Sequence, residues 1–124
     1  ALVIRGSDGL DEFSISAHTN VFEIRNGEIT SYEVTPESVG LKRATKAEIV
    51  GGTAAENAEI TRGILSGKIT GAKRDIVLLN SGAALYTCGK AESIAEGVKI
   101  AAEAIDNGAA MEKLNAMIEF TNRD

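Results

Sequence analysis

The dipeptide Asn26-Gly27 constrains the fold of this chain more than any other short feature. Asparagine and glycine tolerate the positive φ angles of the two-residue turn that joins antiparallel strands, and residues 21–25 and 28–34 on either side of the dipeptide read as strands. A two-residue turn pairs Ile24 with Ile29 and thereby fixes the register of the whole hairpin. Three apolar side chains then share one face, which we expect to be the buried one: Phe22, Ile24 and Ile29.

The segments on either side of the hairpin predict an α/β fold. The apolar run at residues 2–4 is typical of a strand that is covered on both faces. After the hairpin, Thr53 and Glu56 form a capping box, and helical periodicity recurs in four stretches: 53–66, 74–88, 94–105 and 111–118. Residues 74–88 are apolar on nearly all sides, which predicts the central helix. We therefore expect one buried strand, a β-hairpin and then about four helices.

Length, charge and cysteine content narrow the functional classes. The 124 residues suffice for one domain. A net charge of −5 argues against nucleic-acid binding, and it means that an anionic ligand needs help from cations or backbone N–H groups. No apolar run has the length of a membrane span, so no membrane partner is expected. The single cysteine, Cys88, rules out an internal disulfide and suits a reducing compartment, so we expect a cytoplasmic protein.

An acidic segment with two glycines follows the first strand at residues 6–14. Its carboxylates are Asp8, Asp11 and Glu12, and its glycines let the backbone come close to a ligand. Mg²⁺ prefers oxygen ligands and is often held by one or two carboxylates together with substrate phosphates. The segment is therefore a candidate magnesium site over a phosphorylated ligand. The alternative is an acidic turn that is merely solvated.

Other polar features have a functional and a structural interpretation, and the structural one is favoured for each. His18 is a conceivable base or metal ligand, but a lone histidine before a hairpin is more often a loop residue. Cys88 lies near the end of an apolar helix and is expected to be a buried, inert thiol. Residues 51–53 open a helix where a phosphate can bind, yet they lack the lysine of a phosphate loop and favour a tight turn. Asn80 and Ser81 are expected to hydrogen-bond within the core or to admit a neighbouring backbone.

The acidic segment also carries a family resemblance. Residues 3–12 are similar to the segment Val-His-Gly-x-Asp-Gly-Leu-Asp-Glu of anthranilate phosphoribosyltransferases. Further motifs follow in the order in which that family has them: Thr-Pro-Glu-x-x-Gly-Leu at 35–41, Gly-Gly-x-x-x-Glu-Asn-Ala at 51–58 and Leu-Asn-x-x-x-Ala-Leu-Tyr at 79–86. Each match is modest, whereas the ordered series covers nearly the whole chain and is specific.

The resemblance implies an activity and its ligands. Enzymes of that family transfer a phosphoribosyl group from phosphoribosyl pyrophosphate to the amine of anthranilate, an early step of tryptophan biosynthesis. Their adjacent Asp-Glu pair binds Mg²⁺ on the pyrophosphate, and it corresponds to Asp11 and Glu12 here. They combine a larger α/β domain with a small helical domain that forms the dimer interface. The resemblance therefore implies a Mg²⁺-dependent glycosyltransferase that is a homodimer when full length.

Two departures from the family pattern limit this expectation. Arg5 stands where the family usually has histidine, so its role is open. The Gly-Thr-Gly-Gly-Asp loop that cradles the pyrophosphate, the Lys-His-Gly-Asn stretch and the helical domain have no counterpart in residues 1–124. We therefore expect a C-terminal fragment of the α/β domain that supplies one wall of the metal site, is inactive alone and needs the N-terminal remainder of the protein.

Two other interpretations stay open. A relative of pyrimidine-nucleoside phosphorylases, or another phosphoribosyltransferase, would keep the fold and change the acceptor, whose site lies mostly outside this chain. A non-catalytic structural module would leave the acidic segment solvated. In each case the strand at residues 2–4 needs flanking strands, so we expect it to pair with a complementary piece or with a second copy.

Overall fold

A computed structural model describes residues 1–123 as an antiparallel sheet followed by helices. The strand order in the sheet is β1-β2-β3. The strands are β1 (Leu2–Gly6), β2 (Thr19–Arg25) and β3 (Glu28–Val34), and a single 3₁₀ turn at Glu37–Val39 follows them. The helices are α1 (Lys46–Ile49), α2 (Ala54–Leu65), α3 (Ala72–Thr87), α4 (Ile94–Asp106) and α5 (Ala109–Thr121). The predicted α/β class is confirmed.

The hairpin has the predicted register. Ile24 lies opposite Ile29 across the β2–β3 pair, and Asn26 and Gly27 have φ angles of 53° and 83°. Positive φ at both central positions is what a two-residue turn of this kind requires. The dipeptide thus fixed the pairing of every residue in both strands.

The prediction of which hairpin face is buried is wrong. Phe22, Ile24 and Ile29 are 51%, 41% and 69% exposed, whereas Val21 and Val34 on the opposite face are buried. The hairpin is apolar on both faces, so alternation alone does not tell which face the helices cover. Together with Val3, which is 57% exposed and pairs with Phe22, the three side chains form what we call the outer apolar face.

The first strand is also less covered than predicted. β1 lies at the edge of the sheet and pairs with β2 alone. Leu2 and Ile4 are half-buried against the core, while Val3 points to the outer apolar face. An uninterrupted apolar run predicted cover on both faces, and the described residues cover only one.

Helices α3 and α4 form the centre of the molecule. Their contact is the most extensive between any two elements of residues 1–123, and it is close because glycines face each other. A Cβ on Gly82 would lie 2.6 Å from the Val98 nitrogen, and one on Gly97 would overlap the Gly82 carbonyl. The residues of α3 that face this core are Leu78, Leu79, Gly82 and Ala83.

The helix starts follow the local sequence. Thr53 caps α2, with its hydroxyl accepting the Glu56 N–H at 3.4 Å and the Glu56 carboxylate accepting the Thr53 N–H at 2.7 Å. The capping box predicted there is confirmed. Within the described chain, no helix has both the length and the apolarity needed to cross a membrane.

Candidate functional site

The acidic segment forms the loop between β1 and β2, here called the acidic loop (residues 7–18). Asp11 and Glu12 are exposed. The next residues run into the core, where Phe13 is 2% exposed and Ile15 is fully buried. The two carboxylates therefore lie at the surface, and the residues that directly follow them are buried in the core.

Asp8 organises the first half of the acidic loop. Its carboxylate accepts a hydrogen bond from the Ser14 hydroxyl at 2.8 Å and another from the Ser16 hydroxyl. The Ser14 oxygen in turn accepts the Ser16 N–H at 3.0 Å. Burial alone would raise the pKa of Asp8, but the hydrogen bonds from Ser16 and Ser14 outweigh it, so the pKa is lowered. Asp8 is thus committed to the loop's own structure.

Asn80 anchors the second half of the acidic loop from the middle of α3. Its Oδ1 accepts the Phe13 N–H at 2.9 Å, and its Nδ2 donates to the Phe13 carbonyl at 3.0 Å. The same amide donates to the Ile76 carbonyl within the helix at 3.0 Å. The expectation that Asn80 hydrogen-bonds in the core or admits a neighbouring backbone is confirmed, and that backbone belongs to the acidic loop.

The segment before α1 holds the acidic loop from a third side. The Ala44 N–H donates to the Ile15 carbonyl at 3.0 Å, and the Lys46 ammonium donates to the Asp8 carbonyl. The loop therefore has contacts from α3, from residues 44–46 and from its own serines. Hydrogen bonds therefore hold the residues on both sides of the acidic pair, at Leu10 and at Phe13.

The electrostatics of the acidic pair suit a cation. Partial burial of the carboxyl raises the pKa of Glu12, and repulsion from Asp11 adds to the shift, although the residue as a whole is exposed. Among the described residues, neither side chain accepts a hydrogen bond from another side chain. A divalent cation would relieve the repulsion. No group of three or more His, Cys, Asp or Glu side chains in residues 1–123 forms a metal cage, so a cation here needs further ligands.

His18 and the glycine turn take structural roles. The His18 ring lies 3.3 Å from the Ser7 hydroxyl and 3.8 Å from the Glu33 carboxylate, at the far end of the acidic loop. At the start of α2, the Gly52 N–H donates to the Asn57 side chain at 2.8 Å, and the Thr53 N–H is taken by Glu56. These N–H groups are already used, which supports a tight turn over a phosphate site.

The expectation for Cys88 is wrong. The thiol is exposed and lies 3.4 Å from the Leu85 carbonyl oxygen. Cys88 is the C-cap of α3, one residue past its last turn, and there the helix has left the core. The apolar pattern of α3 concealed this end effect.

A half-buried polar cluster joins the sheet to α3 and was not predicted. The Glu23 carboxylate accepts hydrogen bonds from the Tyr86 hydroxyl at 2.7 Å and from the Tyr32 hydroxyl at 2.9 Å, and Arg25 pairs with it at 3.1 Å. The Tyr86 bond is the main cause that lowers the pKa of Glu23, followed by Tyr32 and Arg25 against the opposing effect of burial. The hairpin register places Tyr32 diagonally opposite Glu23. The Glu23–Tyr32 contact could therefore have been predicted from the sequence, whereas the contact with Tyr86 could not.

Comparison with known proteins places the chain in a family. A family model described as "Glycosyl transferase family, a/b domain" matches residues 1–111. The chain belongs to this family. Its match to the family includes the acidic loop, the hairpin and the α3–α4 pair.

The proteins that are similar to this chain carry the name of the family that its motifs resemble. An anthranilate phosphoribosyltransferase of Methanobrevibacter smithii is 52% identical over 98% of the chain. The crystal structure of the enzyme of that name from Thermus thermophilus superposes with a TM-score of 0.89 at 37% identity over 99% of the chain. The Saccharomyces cerevisiae enzyme in complex with PRPP and Mg gives 0.85 at 27% identity over 95%. The similarity to anthranilate phosphoribosyltransferases is confirmed.

The chain spans about a third of the length of these relatives. It covers 36% of the Methanobrevibacter protein, 36% of the Thermus chain and 34% of the Saccharomyces chain. The greater part of each relative therefore lies outside the region that aligns with this chain.

Proposed function

We propose that this chain is part of a longer protein that transfers a phosphoribosyl group from phosphoribosyl pyrophosphate to anthranilate. The observation that carries the proposal is the identity of 52% with an anthranilate phosphoribosyltransferase across nearly the whole chain, including the acidic loop. Within that protein, Asp11 and Glu12 bind Mg²⁺ on the pyrophosphate. The known complex of a relative with PRPP and Mg supports the choice of cation.

The donor set of the acidic loop fits this role. Asp11 and Glu12 are exposed oxygen ligands, and Mg²⁺ commonly takes one or two carboxylates while substrate phosphates and water complete its coordination. The net charge of −5 and the carboxylates of the acidic loop disfavour a pyrophosphate there unless a cation lies between the two anionic partners. When bound there, Mg²⁺ neutralises charge on the departing pyrophosphate.

The rest of the site belongs to the remainder of the longer protein. The chain covers 36% of a relative's length, and the motif that cradles pyrophosphate in the family is not among its 124 residues. The outer apolar face supports this division, because side chains such as Phe22 and Ile29 need cover. We therefore propose that residues 1–124 are the C-terminal portion, that they are inactive alone, and that the complete protein is a cytoplasmic homodimer.

The test is an assay of phosphoribosyl transfer to anthranilate with the longer protein, in parallel with the 124-residue chain alone. We expect turnover by the longer protein and none by the chain. Asp11→Ala and Glu12→Ala should each reduce kcat/KM by about a hundredfold or more, since each removes a ligand of the ion that stabilises the leaving group. The matched control is Glu112→Ala, which removes an exposed carboxylate on α5, and it should leave kcat/KM unchanged.

Each alternative has a distinct outcome in the same experiment. Turnover of a pyrimidine nucleoside with phosphate, and none with anthranilate, would show that the protein has the same fold but acts on a different substrate. Equal kcat/KM for both acidic-loop variants and for Glu112→Ala would contradict the proposal that Asp11 and Glu12 bind the metal ion. Turnover by the 124-residue chain alone would overturn the division of the site between two parts of the protein.

A further inference from the structure

We propose that Asn80 is a positioning residue for the metal-binding pair, a role that rests on the proposed function of Asp11 and Glu12. No family motif assigns this role, and the sequence alone favoured an ordinary core contact. The residue lies 67 positions from the loop that it holds. Asn80 acts on where the two carboxylates are presented, through its hydrogen bonds to the loop backbone.

The geometry is a two-point clamp on one residue. Asn80 accepts from the Phe13 N–H at 2.9 Å and donates to the Phe13 carbonyl at 3.0 Å, so the carboxamide takes both backbone groups of a single residue. The third hydrogen bond, to the Ile76 carbonyl at 3.0 Å, fixes the carboxamide to its own helix. The orientation of the amide is therefore determined from both sides.

The clamp acts on the peptide that leaves Glu12. The Phe13 N–H belongs to the planar unit that contains the Glu12 Cα and carbonyl, so fixing that N–H fixes the direction in which the chain leaves Glu12. Phe13 itself is only 2% exposed, which adds a packed side chain to the clamp. Asp11 is one residue further back, so the clamp also limits the positions that its backbone can reach.

The clamp is rigid because α3 is the central helix. Asn80 follows Leu79, which is 1% exposed, and its helix packs against α4 through glycines at close range. In metal sites, groups that orient the ligands typically change affinity or activity by about 10- to 100-fold when they are mutated. Asn80 is half-buried in this helix, and burial of a polar group is costly unless the group is hydrogen-bonded, as this carboxamide is.

The chain contains a chemically matched control. Asn57 makes the same kind of two-point clamp, with Oδ1 accepting the Gly52 N–H at 2.8 Å and Nδ2 donating to the Gly52 carbonyl at 3.1 Å. That clamp holds the turn before α2, and neither of its two hydrogen bonds goes to the acidic loop. Asn57→Leu therefore removes the same chemistry without touching Asp11 or Glu12.

The experiment measures Mn²⁺ binding to the longer protein by electron paramagnetic resonance, with inorganic pyrophosphate present. Asn80→Leu keeps a side chain that branches at Cγ and removes all three hydrogen bonds, so we expect the dissociation constant for Mn²⁺ to rise about tenfold or more. Asn80→Asp keeps an acceptor for the Phe13 N–H but loses the donor to the carbonyl, so a smaller rise is expected. Asn57→Leu should leave the constant unchanged. Hydrogen exchange at the Phe13 amide should be faster in Asn80→Leu, which removes the acceptor of that N–H, than in Asn80→Asp, which keeps it.

The outcomes separate this inference from the proposed function. Unchanged Mn²⁺ binding in Asp11→Ala and Glu12→Ala would overturn the metal site itself. Weaker binding in those two variants, with wild-type binding in both Asn80 variants, would overturn the positioning role alone. An equal rise in Asn57→Leu and Asn80→Leu would also overturn it, because the effect would then be a general loss of structure. If Asn80→Leu does not fold, the result for Asn80→Asp decides.

Discussion

The carboxylate pair of the acidic loop and the outer apolar face are both exposed to solvent. They differ in how the residues that carry them are held and in whether their side chains are polar. The loop carries its charged pair on residues that are buried and hydrogen-bonded to α3, to residues 44–46 and to Asp8. The outer apolar face carries Val3, Phe22, Ile24 and Ile29 on a sheet whose opposite side alone is packed. The acidic loop is supported by contacts within this chain. The outer apolar face has no element of the described residues packed against it.

This difference supports the proposal that the chain binds its ligand at the acidic loop and meets other protein at the outer apolar face. Exposed carboxylates are well solvated, and a rigid base beneath them favours a bound cation because little order has to be created on binding. Exposed aliphatic and aromatic side chains gain about 1.5–3 kcal/mol each when they are fully buried. We therefore propose that the same short sheet leads into a ligand site at one end and meets other protein on its outer side.

The largest expected effect comes from a substitution that loosens the acidic loop. Asp8→Ala removes the acceptor for the Ser14 and Ser16 hydroxyls, and hydrogen bonds to a charged group contribute about 1.5–3 kcal/mol. We expect the free energy of unfolding to fall by about 2 kcal/mol in urea titrations. Glu119→Ala, which removes an exposed ion pair with Arg123, should cost less than about 1 kcal/mol. Equal effects of the two substitutions would show that the loop is not held through Asp8.

A smaller effect tests the outer apolar face. Ile29→Thr keeps a strand-forming, β-branched residue, so the 124-residue chain should change in stability by less than about 0.5 kcal/mol. In the longer protein the same substitution should cost about 1.5 kcal/mol, because the side chain is then buried. The control is Val21→Thr on the inner face, which should destabilise both proteins, since Val21 is buried already. An equally small effect of Ile29→Thr in both proteins would mean that this face stays open to solvent.

The smallest effect concerns the inner face of the same hairpin. The folded protein lowers the pKa of Glu23 through Tyr86, Tyr32 and Arg25, so this carboxylate adds stability that is fully present above its ordinary pKa of 4.5. That contribution is lost as the pH falls through the lower folded value. Stability should therefore fall more steeply below about pH 4.5 in the wild type than in Glu23→Gln, as followed by thermal unfolding. Parallel pH profiles would contradict the assignment.

The sequence could predict features that depend on neighbours along the chain. Asn26-Gly27 determined the hairpin register, and Thr53 with Glu56 determined the start of α2, because both act within a few residues. Motif order identified the family, and it is also the basis for proposing Asp11 and Glu12 as metal ligands. The buried side of the hairpin was beyond reach, since both of its faces are apolar and only tertiary packing selects one.

Contacts between distant segments were equally beyond reach. Asn80 was recognised as a polar residue in an apolar helix, but its partner lies 67 residues away and no local pattern connects the two. Cys88 shows the opposite failure, because the apolar pattern of α3 runs into the C-cap, where the chain has already left the core. Sequence reasoning therefore found the ligands proposed for the metal and missed what holds them in place.

The most direct test of the central proposal is Mn²⁺ binding to the longer protein in the presence of pyrophosphate, with and without the acidic pair. The double variant Asp11→Asn, Glu12→Gln keeps the shape of both side chains and removes both charges. We predict that its dissociation constant for Mn²⁺ is at least about a hundredfold higher than that of the wild type, since two anionic ligands are lost. Wild-type affinity in the double variant would contradict the assignment of this loop as the metal-binding wall.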